Sequence, residues 1–255
     1  MDKFDQLREI TKKAFSETEG CEWVKSKTIQ DIGVYTLEEI YELLDAVERE
    51  DIEGIKDELG DLVFHLALYA EIGERRGEFT LGEILDLAIE KQHQRRLSFD
   101  KPAATAEEAH AYWKSQKNKS RTRSEGLLSN IPRNMPALVR SKLIQDGASD
   151  VNFDWDNLDD IFNKLNEELD EFKVEVEKDD REAMIDELGD VLFTLVNVGR
   201  HCGIDAEQAL RHANRKFMRR FRSVEQVIGS QGQLLEKMDF KALLEVWNQV
   251  KLEDK

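Results

Sequence analysis

The sequence predicts an all-α protein, built as a tandem repeat of two helical-bundle domains joined by a polar linker. Only three prolines in 255 residues, few aromatic residues and abundant Glu, Lys, Leu and Ala favour helix over strand. An acidic pattern also occurs twice: the first Glu of an EExxE run lies twenty residues before the Glu of an ELGD tetrapeptide, at Glu38 and Glu58 and again at Glu167 and Glu187. This repeat favours two domains over one large core.

Capping signals predict five helices in the first half, joined by short turns. In a capping box, a Ser or Thr and the acid three residues later each accept a hydrogen bond from a backbone N–H at the helix start. Thr36 with Glu39 predicts a helix that runs to about Arg49. The other four are expected around residues 7–14, from Asp51 past Ala70, from Thr80 with Glu83, and from Thr105 with Glu108.

The second half is expected to repeat this plan after a change in composition. A basic, polar run extends from Lys117 to Ser124, so residues 119–136 are predicted to be a linker between domains at 1–118 and 137–255. Such a run can also bind phosphate or nucleic acid, but without interleaved aromatic residues a solvated linker is favoured. The predicted helices beyond it lie at about 158–178, 180–200, 205–228 and 239–251.

The overall composition narrows the possible partners and compartment. A net charge of −17 argues against a nucleic-acid backbone as the main partner, although a phosphate ligand is compatible if cations separate it from the carboxylates. Cys21 and Cys202 stand in no disulfide-like or zinc-ligand spacing, which favours a reducing, cytoplasmic setting. The N-terminus has no continuous apolar segment, so we expect neither a signal peptide nor a membrane span there.

Helical spacing places the repeated acids beside apolar stripes. Residues three apart on a helix project from nearly the same face, and Leu, Ile and Val residues fill the neighbouring stripe. We expect two helices packed through these stripes to bring four carboxylates together in each half. The two expected quartets are Glu39, Glu42, Glu58 and Asp61, and Glu168, Glu171, Glu187 and Asp190.

Clustered carboxylates repel each other, and a divalent cation would reverse the sign of that interaction. Hard oxygen ligands without cysteine or a shared histidine suit Mg²⁺, with Mn²⁺ as a possible substitute, better than zinc. Two other interpretations remain open. A di-iron bundle needs a Glu-x-x-His motif, whereas the tetrapeptides here end in Asp61 and Asp190. A helical interaction or regulatory module could bind cations without turnover, because a single ExxE is common in a chain that is 36% charged.

At EExxE followed by ExxD the sequence resembles the MazG family of all-α nucleoside triphosphate pyrophosphohydrolases. The resemblance covers nearly the whole chain and includes the basic stretch from Asn214 to Arg222 and the ending from Trp247 to Lys251. It implies a homodimeric enzyme that hydrolyses a nucleoside triphosphate to the monophosphate and pyrophosphate, for nucleotide-pool housekeeping or control of stress nucleotides. In such an enzyme Mg²⁺ is held by the acids, and water attacks the α-phosphorus.

The resemblance also implies roles for individual residues. The catalytic set would be Glu168, Glu171, Glu187, Asp190, Lys216 and Arg220, with the four acids as metal ligands. The substrate-binding set would be Lys164, Glu167, Arg219, Trp247 and Lys251. The first half departs from the pattern, since Tyr35 stands where Lys164 does and Gln94 where Arg219 does. We therefore expect the main active site in the second half, and in the first half metal binding with slow turnover or a role in dimer formation.

Overall fold

The computed structural model describes residues 3–95, 105, 108 and 126–253. Those residues form helices, turns and loops without a β-strand, which confirms the all-α prediction. The chain divides into two compact units, Met1–Ser120 (unit 1) and Arg121–Lys255 (unit 2). The basic run from Lys117 to Ser124 lies outside the described residues, so the predicted linker and domain bounds stay predictions.

Unit 1 is organised around a helical hairpin. Its helices are α1 (Lys3–Ala14), α2 (Glu22–Lys25), α3 (Ile29–Glu48), α4 (Ile52–Arg76) and α5 (Leu81–Arg95). Helices α3 and α4 form the hairpin, and α1 and α5 pack on α4. The core lies at one end, where Phe15 and Val24 meet Ile32 of α3 and Leu68 and Ile72 of α4.

Unit 2 repeats the hairpin and adds a second helical layer. Its helices are α6 (Ala137–Ser149), α7 (Leu158–Lys178), α8 (Arg181–His201), α9 (Ala206–Ser230), a 3₁₀ turn (Leu235–Lys237) and α10 (Phe240–Glu253). Helices α7 and α8 form the hairpin, α6 packs on α8, and α9 packs on α10 with further contacts to α6 and α8. Val224, Ile228 and Val250 form a buried cluster between α9 and α10.

Most predicted helix starts are confirmed, but one capping box was wrong. The Asp51 carboxylate accepts from the Gly54 N–H at 3.0 Å, and Thr80 and Glu83 cap each other reciprocally. The Thr36 hydroxyl instead donates to the Ile32 carbonyl inside α3, at 2.8 Å. The helix is capped eight residues earlier, where Thr28 accepts from the Asp31 N–H at 3.2 Å and Asp31 accepts from the Thr28 N–H at 2.8 Å. Glu39 therefore has no capping role.

One further predicted helix is only partly described, and one observed helix was not predicted. Thr105 accepts from the Glu108 N–H at 3.2 Å, whereas the rest of the helix predicted there lies outside the described residues. Helix α6 was not predicted at all. It begins after Pro136, which offers no side-chain cap, and Gly147 interrupts its sequence. Both features weaken the two signals, capping and periodicity, on which a sequence-based prediction depends.

The hairpins pack through the acid-bearing faces rather than through the predicted apolar stripes. Ile32, Glu39 and Ala46 follow one line along α3 toward α4, and both apolar members are 1% exposed. In unit 2, Ile161 and Glu168 on the equivalent line are 0% and 5% exposed. By contrast, most stripe residues stay 36–50% exposed: Ile40, Leu44, Val47, Leu59, Val63, Leu169, Val176, Leu188 and Leu195. Periodicity locates the apolar side of a helix but does not identify which neighbour covers it.

Two smaller observations concern membrane-spanning helices and the cysteines. No helix within the described ranges combines the length and apolarity needed to cross a bilayer. Cys21 and Cys202 are both free thiols and both exposed.

Candidate metal centres

Three carboxylates of unit 2 converge between α7 and α8. Glu168 and Glu171 lie one turn apart on α7, and Glu187 faces them from α8; one oxygen of each lies within 4.8 Å of the others. The hairpin turn sets this alignment. Asp179 ends α7 in the left-handed conformation, with a φ of 57°, and Asp180 then caps α8 by accepting from the Ala183 N–H at 3.2 Å. We call these three residues the unit 2 trio.

Unit 1 assembles an equivalent group with the helices in exchanged roles. Glu39 comes from α3, and Glu58 and Asp61 lie one turn apart on α4; one oxygen of each again lies within 4.8 Å of the others. Glu50, with a φ of 56°, and the cap residue Asp51 form the turn of this hairpin. We call these three residues the unit 1 trio. Each unit thus holds three converging acids from two helices.

The fourth member of each predicted quartet lies outside the converging group. Asp190 is not among the close carboxylates of unit 2, and Glu42 is not among those of unit 1. Both are still near enough to act electrostatically. Asp190 contributes to the raised pKa of Glu187, and Glu42 contributes to the raised pKa of both Glu39 and Glu58. They line the edge of the acid clusters rather than their centre.

The carboxylates of each trio are partly desolvated and repel one another. Burial is the main cause that raises the pKa of Glu187, and the charges of Glu171 and Glu168 raise it further. Burial likewise raises the pKa of Glu39, with Asp61 adding to the effect. The pKa of Glu58 is raised by burial and by its hydrogen bond with Glu39. A divalent cation would relieve this repulsion, because it favours the ionised form of every carboxylate around it.

The donor chemistry fits a hard divalent cation. Both trios offer only carboxylate oxygens, which Mg²⁺ and Mn²⁺ prefer, and neither contains the histidine that a di-iron bundle requires. His65 is the imidazole nearest in sequence to Asp61. It is buried, its Nδ1 lies 3.2 Å from the Thr36 hydroxyl, and burial lowers its pKa. Its ring therefore packs between α3 and α4 and is not among the converging groups of the unit 1 trio.

A lysine ammonium lies directly against the unit 2 trio. Lys164 Nζ is 2.9 Å from Glu168 Oε1 and 2.6 Å from Glu167 Oε1. The two contacts, that with Glu167 first, raise the pKa of Lys164 well above its ordinary value. Glu167 is exposed, and its carboxylate shares Lys164 with Glu168. Lys164 thus places a permanent positive charge beside the candidate metal ligands, and in unit 1 Tyr35 takes that position.

The remaining predicted catalytic and substrate-binding residues lie on the second layer of unit 2. Helix α9 carries Lys216, Arg219 and Arg220, and α10 carries Trp247 and Lys251. Trp247 packs against the buried cluster of α9 and α10, with its ring centroid 5.1 Å from that of Phe217. The structure therefore gives Trp247 a packing role. Contact of any of these five residues with a nucleotide remains a prediction.

Sequence reasoning missed a further acid near the unit 2 trio. Glu175 lies two turns after Glu168 on the same face of α7, and its side chain is 17% exposed. Its charge is one of the causes that raise the pKa of Glu187. The signal in the sequence was the seven-residue spacing from Ile161 through Glu168 to Glu175. Ala46 holds the equivalent position in unit 1, so this acid distinguishes the two units.

Comparisons with known proteins agree with this architecture. The family model for the MazG nucleotide pyrophosphohydrolase domain matches residues 27–98 and 157–224, which span the two hairpins. A nucleoside triphosphate pyrophosphohydrolase of Escherichia coli K12 is 38% identical over 100% of this chain and 99% of its own length. The nucleoside triphosphate pyrophosphohydrolase/pyrophosphatase MazG of Thermotoga maritima is 34% identical over 97% of this chain and 95% of its own. The Bacillus subtilis protein YabN is 36% identical over 91% of this chain and 48% of its own length. The chain belongs to the MazG nucleotide pyrophosphohydrolase family.

Proposed function

We propose that this MazG-family protein hydrolyses nucleoside triphosphates to the monophosphate and pyrophosphate in a Mg²⁺-dependent reaction centred on unit 2. The observation that carries the proposal is the unit 2 trio with Lys164 at its side: three hard ligands and one fixed cation in contact. The names of the relatives from E. coli and T. maritima support nucleoside triphosphates as the substrate class. Nucleotide-pool housekeeping or the removal of stress nucleotides would follow from such an activity.

The trio and Lys164 have separate tasks in this proposal. Glu168, Glu171 and Glu187 would hold the ion, with Asp190 at the edge of the cluster. Mg²⁺, when bound, lowers the pKa of a coordinated water and offsets charge on the reacting phosphate. Lys164 pairs with Glu168, and its ammonium would contact a phosphate oxygen of a nucleotide bound at the trio.

Departure of the pyrophosphate requires positive charge at the far end of the substrate. We assign this to Lys216, Arg219 and Arg220 of α9, whose side chains would stabilise the charge that develops on the leaving group. Attack of water at the α-phosphorus, rather than at the γ-phosphorus, would release pyrophosphate as the leaving group. Lys251 would contact the nucleotide from α10.

The products and the position of attack are open to a direct test. The protein is incubated with each ribo- and deoxyribonucleoside triphosphate and Mg²⁺ in ¹⁸O-labelled water. The products are separated, and the mass of each is measured by mass spectrometry. We expect pyrophosphate and a monophosphate that carries the label, because water attacks the α-phosphorus. Orthophosphate as the first product, or label in the pyrophosphate, would contradict the proposal.

We also propose a homodimer, formed through the apolar stripes of the hairpins. Leu188, Leu192 and Leu195 lie along one side of α8 and are each 45–47% exposed, next to the half-exposed Leu169 and Val176 of α7. Apolar surface of this extent on a hairpin is typical of a face covered by a second chain. The same face on a second copy is the occupant that symmetry supplies.

Sedimentation of the full chain tests this assembly. The wild type should sediment as a dimer, whereas Leu188→Asp with Leu192→Asp should sediment as a monomer, because charge on the stripe must be desolvated. Phe240→Asp is the matched control, since Phe240 is 78% exposed at the start of α10 and outside the stripe. A monomeric wild type, or a dimer that survives the double substitution, would refute the assignment.

A helical cation-binding or regulatory module without turnover is the second candidate, and unit 1 favours it because Tyr35 replaces the lysine that faces the trio of unit 2. Two measurements separate the candidates: calorimetry for Mg²⁺ binding and a product assay for pyrophosphate. Binding of Mg²⁺ without release of pyrophosphate from any nucleotide would support the module. We further propose a reducing, cytoplasmic location, for which the two exposed free thiols are the support.

A further inference from the structure

A hydrogen-bonded polar network is buried between α3 and α4 of unit 1. The Thr36 hydroxyl lies at its centre and donates to the Ile32 carbonyl at 2.8 Å. The same oxygen lies 3.2 Å from His65 Nδ1 and 3.2 Å from the Tyr69 hydroxyl. The His65 side chain belongs to the buried residues of the protein, with 8% of its surface exposed. It is a titratable group to which the proposed function assigns no task.

The single hydroxyl hydrogen of Thr36 determines where its neighbours carry their hydrogens. A carbonyl oxygen can only accept, so this hydrogen is committed to Ile32. The hydroxyl oxygen then offers only lone pairs to the imidazole of His65 and the phenol of Tyr69, and both groups must donate to it. Neutral His65 therefore carries its hydrogen on Nδ1 and keeps a lone pair on Nε2. A further proton must bind at Nε2.

The surroundings of His65 disfavour that further proton. Desolvation by burial is the main cause that lowers the pKa of His65, and the charge of Asp61, one helical turn before it on α4, opposes this effect without cancelling it. From α3 the ring faces the hydroxyl of Thr36, which does not ionise, and from α4 the network adds the phenol of Tyr69, a group that is uncharged near neutral pH. The contact of the ring is thus with a hydroxyl and not with a carboxylate.

Unit 2 has a different set of side chains at the equivalent place in its hairpin. The alignment that pairs Glu39 with Glu168 also pairs the three network residues with three residues of unit 2. Those residues are Leu165, Thr194 and Val198. Thr194 is as buried as His65, with 8% of its surface exposed. Burial at this position is therefore common to both hairpins, whereas the titratable group belongs to unit 1 alone.

We propose that His65 is a pH-sensitive switch in the α3–α4 hairpin, which loosens unit 1 below neutral pH while unit 2 stays packed. A proton on Nε2 puts a charge inside the hairpin, and the ring can reach water only if α3 and α4 separate near Thr36. An unfolded histidine has a pKa of about 6.5 and the buried ring has a lower one, so the stabilisation is present above that pH and is lost as pH falls through it. The switch requires neither a bound cation nor turnover.

The protonation of the ring can be tested on the wild-type chain in EDTA. Nitrogen-15 chemical shifts distinguish the two neutral forms of a histidine, and the signal that is missing in His65→Asn identifies this ring. At pH 8 we expect the hydrogen on Nδ1, and we expect titration below the pKa of about 6.5 of an unfolded histidine. Thr36→Ser should preserve this form, whereas Thr36→Val, which removes the acceptor, should not. A hydrogen on Nε2, or titration above 6.5, would overturn the inference.

Loosening of unit 1 can be measured by hydrogen–deuterium exchange of the metal-free full chain between pH 5.5 and 8, with rates corrected for intrinsic exchange. His65→Asn is the reference, because its amide can donate to Thr36 and does not titrate. The opening constant of α3 and α4 in the wild type, divided by that in His65→Asn, should rise by up to about tenfold per pH unit below 6.5. This ratio removes the opposite effect of Glu39 and Glu58, since both chains contain them.

The controls come from the other unit and from an exposed histidine. Peptides of α7 and α8 should exchange equally in the wild type and in His65→Asn. His212→Asn, at an exposed position of α9, should keep the wild-type pH dependence of α3 and α4. The same pH dependence in the wild type and in folded His65→Asn, or an equal response of α7 and α8, would overturn the inference. Circular dichroism at pH 8 establishes the folding of each variant, and the titration of the wild-type ring tests the inference without any variant that must fold.

Discussion

The acids of unit 2 lie against a lysine ammonium, whereas those of unit 1 lie one helical turn from a tyrosine ring. Both hairpins otherwise agree: a buried isoleucine, a glutamate seven residues later and two further carboxylates around it. Lys164 and Glu175 of unit 2 correspond to Tyr35 and Ala46 of unit 1. The buried line of isoleucine and glutamate, which we call the packing seam, and the three converging carboxylates are therefore common to both units, while the charge around them differs. We infer that this charge, rather than the carboxylates themselves, separates a catalytic unit from a binding unit.

The largest expected effect is a difference between two equivalent glutamates. Glu168→Gln should lower kcat/KM at least about 1,000-fold, because removal of a ligand costs much of the several kcal/mol that a catalytic metal supplies. Glu39→Gln should leave kcat/KM within about threefold. Pyrophosphate release under steady-state conditions measures both. Equal losses in the two variants would mean that the units share the reaction, which would break the comparison.

The packing seam should respond equally in both units. Ile161 and Ile32 are 0% and 1% exposed, so Ile161→Ala and Ile32→Ala should each lower the free energy of unfolding of their own unit by about 2–5 kcal/mol. Ile204→Ala is the control, because that side chain is 54% exposed. Urea denaturation followed by circular dichroism gives the values. A seam substitution that costs no more than the control would refute the shared seam.

A smaller effect is expected from the cation of unit 2. Lys164→Met should reduce kcat/KM about 10- to 100-fold, since a hydrogen bond to a charged group is worth about 1.5–3 kcal/mol. Lys173→Met is matched to it, because Lys173 lies on the same helix, pairs with Asp170 at 2.8 Å and is largely exposed. If the two substitutions had the same effect, Lys164 would have no special role beside the trio.

The smallest expected effect is on the pH dependence of stability. Raised pKa values at Glu39, Glu58 and Glu187 mean that the folded protein binds protons more tightly than the unfolded chain. Their protonated forms therefore stabilise the metal-free fold fully below the ordinary glutamate pKa of about 4.3, and this stabilisation is lost as pH rises through the raised values. The thermal midpoint in EDTA should fall over that window.

Added Mg²⁺ should reverse this trend, because the ion binds the deprotonated carboxylates. The rise in thermal midpoint on addition of Mg²⁺ should be greater at pH 8 than at pH 5. Glu187→Gln should reduce both the slope in EDTA and the response to Mg²⁺, whereas the exposed Glu182→Gln should change neither. An Mg²⁺ response that is independent of pH would argue against binding at the trios.

Much of the fold was readable from the sequence because its signals are local. Asp51 and Thr80 each cap a helix by accepting from the N–H three residues later, and the turns between hairpin helices are short. Helix α6 lacks such a cap and was missed. Thr36 carried the right residue types in the wrong place, because Thr28 and Asp31 had already started the helix.

The site was only partly predictable, because it depends on how two helices approach. The spacing identified Glu168, Glu171 and Glu187, yet it placed them at the edge of an apolar stripe through which the helices were expected to pack. Glu168 instead lies within the contact between the two helices. Glu175 was missed because its proximity to Glu187 exists only after the hairpin closes.

The central claim, that each trio is a site for a divalent cation, is tested most directly by titrating the metal-free full chain with Mn²⁺ and counting free Mn²⁺ by electron paramagnetic resonance. We predict that Glu39→Gln removes one class of tight sites, that Glu168→Gln removes the other, and that the double variant retains only weak binding. The control chain with Glu53→Gln and Glu182→Gln, exposed acids in the first turns of α4 and α8, should match the wild type. Tight Mn²⁺ binding by the double variant at the wild-type stoichiometry would contradict the claim.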